Sequence, residues 1–130
     1  MNRLKRTQFW GVDENDDRLI KQIIAGRKTA TACPAAEYFL PDGAYEDGGF
    51  EVGDRVEVYD LKKQLRCVIK ITEVYTATFA SIPEKLWRGE GNKSADEFRQ
   101  DHRSCWSHLT LTADFEMIIN HFGLVKTVRP

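Results

Sequence analysis

Two glycine-marked segments hold the residues best suited to chemistry. The first is Gly26-Arg27-Lys28-Thr29-Ala30-Thr31 and the second is Trp87-Arg88-Gly89-Glu90-Gly91-Asn92. A threonine hydroxyl is a weak nucleophile until a base removes its proton. A lysine amine serves as that base when burial or a neighbouring cation, here Arg27, disfavours its charged form. Glu90 stands between two glycines, which allow a carboxylate to come close to other backbone. The same residues also fit a plainer pattern: a helix-end cation, strand-forming threonines and an exposed acidic turn.

Other chemistries fit less well. The lysine segment is not a phosphate-binding P-loop, because no glycine directly precedes Lys28 and none lies at the required upstream position. His102 and Cys105 are spaced for one helical turn, but no second pair completes a metal site. Trp10, Trp87, Trp106 and Tyr38 could stack on a base, or simply fill core and rim.

These residues need a scaffold. Leu19, Ile20, Ile23 and Ile24 share one face at helical spacing, with Asp13 or Asn15 available as a cap. Gly26 stands where a helix stops in the left-handed conformation. Residues 34–54 contain Pro34, Pro41, Gly43, Gly48, Gly49 and Gly53, so they read as a long loop that could form a rim or lid. Arg55–Asp60 and Leu65–Val74 alternate apolar and polar residues and predict an antiparallel hairpin. Strands are also predicted at Phe115–Phe122 and Leu124–Val128. Ser94-Ala95-Asp96-Glu97 reads as a capping box opening a helix on which Phe98, His102 and Trp106 recur every four residues. Several strands with two or three helices predict an α+β fold, the sheet curled into a small barrel.

Composition narrows the classes further. The 130 residues suit a single domain spanning 1–130, and 42% hydrophobic content supplies a core. Nineteen basic and 20 acidic residues give a net charge of -1, which argues against coating long duplex DNA. Three cysteines without a C-x-x-C pair suit a reducing cytoplasm. The basic N-terminus lacks the apolar run of a signal peptide, and no stretch approaches the roughly 18 apolar residues of a membrane span.

Taken in order, Phe9-Trp10-Gly11, Gly26-Arg27-Lys28-Thr29-Ala30-Thr31, Val52-Gly53-Asp54, Gly89-Glu90-Gly91 and Glu97-Phe98-Arg99-Gln100-Asp101-His102 resemble the ASCH domain family, a branch of the PUA-like superfamily. The resemblance implies a PUA-like β-barrel whose flanking helices close a cleft, and a role connected with RNA or modified nucleosides. Some relatives are amidohydrolases that deacylate N4-acetylcytidine with a lysine, a threonine and a glutamate. The matching positions are Lys28, Thr31 and Glu90, with Gly26, Arg27, Arg99 and His102 as substrate-binding candidates. Those relatives carry arginine two places after the threonine, where this chain has Cys33. The expected activity is amide hydrolysis needing no cofactor or metal. Its rivals are a non-catalytic RNA-binding module and a ribonuclease using the same cleft. In the ribonuclease reading Arg27, Lys28, Lys62, Lys63 and Arg66 contact phosphates. Lys28 and Thr31 would point to opposite faces of a regular strand, so a shared site requires an irregularity between them.

Overall fold

The computed structural model describes residues 5–9, 12–38 and 49–128. Among these residues five strands form one mixed sheet: β1 (Lys5–Gln8), β2 (Ala30–Pro34), β3 (Arg55–Tyr59), β4 (Leu65–Thr78) and β5 (Glu116–Thr127), in the order β1-β3-β4-β5-β2. β1 runs parallel to β3, and every other pairing is antiparallel. The helices of the described residues are α1 (Arg18–Ile24), α2 (Ala35–Tyr38), α3 (Glu84–Gly89) and α4 (Ala95–Cys105).

The long β4–β5 pair is the spine. Its register shifts between Val68 and Ile69 and again between Ile71 and Glu73. Each shift inserts residues into one strand only, which increases local twist and bends the sheet. Among the described residues the sheet is therefore a half-barrel bounded by β1 and β2, and the α+β class predicted from the sequence is the one found. Val56 and Val58 on β3 are fully buried, as their alternation requires. They belong to a cluster with Ile20, Ile23, Ile69 and Ile71. A second cluster gathers Ala30, Phe79, Leu86, Phe98, Met117 and Ile119, where α3 and α4 meet the sheet.

Several local details differ from the sequence reading. α1 starts at Arg18, with Asp17 at its N-cap making no side-chain cap bond. Asp13 instead closes a turn on the Asn15 N–H, and Asp17 is drawn to Arg66 at 2.9 Å. Short polar side chains before a helix have several backbone and ionic partners to choose from, and tertiary ion pairing decides among them. Ile20 and Ile23 are buried, whereas Leu19 and Ile24 are only half-buried. β5 is one strand running through Gly123, since the residues on both sides of that glycine pair with β4. β1 has no apolar alternation in Lys-Arg-Thr-Gln and exists through its parallel pairing with β3. Of the loop expected over 34–54, Pro34 ends β2, Ala35–Tyr38 forms α2, 39–48 lie outside the described residues, and 49–54 lead into β3. Among the described residues, no helix is long and apolar enough to cross a membrane.

Ile23 is 1% exposed. Ile23→Ala should cost about 2–5 kcal/mol in urea unfolding. A loss below about 0.5 kcal/mol would show that this face of α1 is not core.

Candidate functional site

Lys28 lies on the link between α1 and β2, ahead of the strand. Gly26, at φ +81°, ends the helix in the left-handed region. The Gln22 carbonyl accepts from both Arg27 N–H and Lys28 N–H, at 2.9 and 3.1 Å. Thr29 N–H then donates to the Gly89 carbonyl at 2.7 Å. The chain around Lys28 is thus fastened on one side to α1 and on the other to α3. Because Lys28 precedes the strand, strand alternation does not separate it from Thr31.

α3 delivers the carboxylate. A Cβ on Gly89 would stand 2.7 Å from Ala30 Cβ and 3.2 Å from Thr29 Oγ1, so this close approach requires glycine. Glu90 follows as the helix C-cap, and Gly91, at φ +88°, turns the chain toward α4. Lys28, 3% exposed, donates through Nζ to Glu90 Oε1 at 2.5 Å and to the Ala30 carbonyl at 2.8 Å. On α4, Ser94 caps by accepting from Glu97 N–H. The Phe98–His102–Trp106 face then brings His102 Nε2 to 3.1 Å from Glu90 Oε2. Burial alone would raise the Glu90 carboxyl, but Lys28 and then His102 outweigh it and hold the group down at about 2.

The trio opens into a cavity of about 550 Å³, bordered by Phe9, Leu19, Thr31, Cys33, Asp101 and Trp106, among others. Thr31 is half-buried, and among the described residues no group bonds its hydroxyl. Lys28 also lies 5.7 Å from the centre of the Phe9 ring. The structure therefore brings Lys28, Thr31, Glu90 and His102 to one cavity.

The other site candidates fall elsewhere. Gly26 shapes the approach to Lys28 without bordering the cavity, and Arg27 is exposed outside it. The N–H groups of residues 26 to 29 all bond carbonyls, so they offer no oxyanion pocket. Arg99 is also removed from the cavity: its guanidinium ties the Phe79 and Ala80 carbonyls, at 2.8 and 2.9 Å, and Asp96. An arginine fork satisfies carbonyls at the end of a strand as readily as it binds a ligand, and sequence does not distinguish the two. Tyr38 is buried with its hydroxyl bonded to Phe50 and Asn120, leaving no free ring face for stacking. Trp87 packs on the second core cluster, and Trp10 lies outside the described residues. Among the described residues, no group of three or more His, Cys, Asp or Glu is arranged to hold a metal. Asn92 and Asp101 are wall residues that the sequence reading did not single out. They bond each other at 2.9 Å, and their only local signal was adjacency to Glu90 and His102.

A half-barrel whose helices press a buried lysine–glutamate pair against a ligand-sized cavity defines a PUA-like domain. The family model for the ASCH domain matches residues 6–126, and the chain belongs to that family. No curated protein matches the chain. Among solved structures, an Enterococcus faecalis protein is similar at 19% identity, covering 94% of this chain and 76% of that one, with a TM-score of 0.74. An ASCH domain from Lactobacillus crispatus is also 19% identical, covering 92% and 79%, with a TM-score of 0.72. ASCH from Zymomonas mobilis is 11% identical, covering 95% and 71%, with a TM-score of 0.54. At such identities the likeness is one of fold.

Two measurements check the site's construction. Gly89→Ala should push α3 off β2 and lower stability by about 1–3 kcal/mol, with a chemical-shift change at Lys28. An unchanged Lys28 signal would show that the contact yields without cost. Glu90 has its folded-state pKa below the usual 4.5, so its contribution is complete above pH 4.5 and is lost as pH falls toward 2. Wild type should exceed Glu90→Gln in stability at pH 7, and that gap should shrink by about 3 kcal/mol by pH 2. A gap independent of pH would contradict the pairing.

Proposed function

We propose that this protein hydrolyses the amide of an N4-acylated cytidine or a closely similar nucleoside. The observation that carries the reading is the buried Lys28–Glu90 pair at a cavity that Thr31 also borders. Thr31 attacks the acyl carbon. Its proton passes to Lys28 as Lys28 releases one of its own along the short bond to Glu90. Glu90, so strong an acid, holds that proton only briefly and returns it through Lys28 to the departing exocyclic amine. Water then cleaves the threonine ester by the same route, releasing the carboxylic acid and restoring Thr31. The steps as written call on no metal or organic cofactor.

The charge around the cavity favours a single uncharged nucleoside over a phosphorylated chain. Asp16, Glu37, Glu90 and Asp101 border it, against Arg18, Lys28 and His102. Arg18 is itself engaged with Asp16. Apart from Lys28, the cations a ribonuclease would use lie elsewhere. Arg66 is bound to Asp17 and Asp60, and Lys62 and Lys63 stand in the β3–β4 turn away from the cavity. An RNA-binding module finds some support in Trp106 on the wall, where an unpaired base could stack.

The test is product analysis after incubation with N4-acetylcytidine and, separately, with a mixed RNA. Wild type should deacylate the nucleoside. Lys28→Arg keeps the charge but cannot pass a proton near neutral pH, and should lose about 10²–10⁴-fold in rate with nucleoside affinity nearly intact. Thr31→Ala should be inactive. Robust hydrolysis by Lys28→Arg would remove Lys28 from proton transfer. No hydrolysis by wild type across several acylated cytidines, with RNA affinity lost only in Lys28→Ala, would favour the binding module.

A further inference from the structure

We infer that His102 is a positioning residue that carries hydrogens on both ring nitrogens and clamps the buried Glu90 carboxylate against Lys28. Nδ1 lies 2.8 Å from the Phe98 carbonyl, and a carbonyl oxygen can only accept, so Nδ1 holds a hydrogen. In a neutral ring of that tautomer, Nε2 presents a lone pair. It would then face Glu90 Oε2, itself an acceptor, at 3.1 Å. Oε2 is buried and has no well-aligned hydrogen bond from any described residue. Two acceptors in contact, both cut off from water, are strongly disfavoured. A hydrogen on Nε2 makes the ring a cation and converts the same contact into an attraction between opposite charges.

The surroundings suit a charged ring. It stacks on Phe98 with centroids 3.9 Å apart and meets Trp106 edge-on at 4.6 Å. A cation over an aromatic face is attracted by the ring quadrupole. The other charged groups near His102 are engaged: Asp101 bonds Asn92, and Arg103 lies over the Phe79 ring. With His102 charged, the trio Lys28–Glu90–His102 holds two positive charges and one negative. Its floor therefore favours negative charge developing on a ligand oxygen, and the clamp keeps Oε1 on Lys28. The inference concerns the resting protein and stands apart from whether the protein hydrolyses nucleosides.

The chain has three histidines, so the experiment is compact. Protein labelled with ¹⁵N-histidine is examined by long-range ¹H–¹⁵N correlation at pH 7, with His102→Gln identifying the His102 signals. Wild-type His102 should show both nitrogens protonated. In Glu90→Gln, where the side-chain amide can donate to a bare Nε2, only Nδ1 should remain protonated. Unchanged His108 and His121 signals would report an intact fold in that variant. A bare Nε2 in wild type overturns the inference without reference to any variant. So does a Glu90→Gln protein, folded by the same signals, in which both nitrogens stay protonated.

Discussion

The site depends on one interaction, the ion pair between Lys28 and Glu90, with both partners removed from water. Burying an ammonium and a carboxylate is costly, and the pair holds only because each charged group has further partners. Lys28 adds the Ala30 carbonyl, and Glu90 adds His102. The three residues come from three elements: the α1–β2 link, the end of α3 and the last turns of α4. Everything that fixes these elements relative to one another serves the pair, and removing either charge leaves the other stranded.

Backbone bonds do much of that fixing. The Gln22 carbonyl collects two N–H groups from the turn after α1, and the Gly89 carbonyl takes the next free one, from Thr29. Phe122 N–H bonds the Thr29 carbonyl and so joins the same segment to β5. Side-chain removal at residue 89 lets α3 lie directly on β2, and the glutamate that follows is then aimed at the lysine. An isolated acidic loop residue would have kept its water. Here the helix end carries it inside, where its charge is held by neighbours rather than by solvent.

The sheet supplies the room. The two register shifts between β4 and β5 bend the spine, so that α1 covers one cluster while α3 and α4 cover the other. β2 carries Ala30 into the second cluster and Thr31 to the cavity on successive positions. Cys33, on the same face as Thr31, borders the cavity and also belongs to the first cluster. Membership of the ASCH family, shown by the match over residues 6–126, leaves the choice of ligand to the cavity wall.

Sequence alone determined the features that rest on local periodicity and local backbone preference. The β3–β4 hairpin, the Ser94 cap, the buried Ile20 and Ile23, and the positive φ at Gly26 all arise within a few residues of one another. The ordered motifs also marked Lys28, Thr31, Glu90 and His102 as residues worth following. Tertiary structure decided what those marks could not express. It formed β1 from a polar tetrapeptide by pairing it with β3, and it placed Arg99 on strand-end carbonyls instead of in the cavity. It also put Glu90, 62 residues after Lys28, within one hydrogen bond of it. The physical reason is range: helix and turn preferences act over about one turn of chain. Burial, ion pairing and strand partnership depend on which distant segments come together, and that is settled only when the core closes.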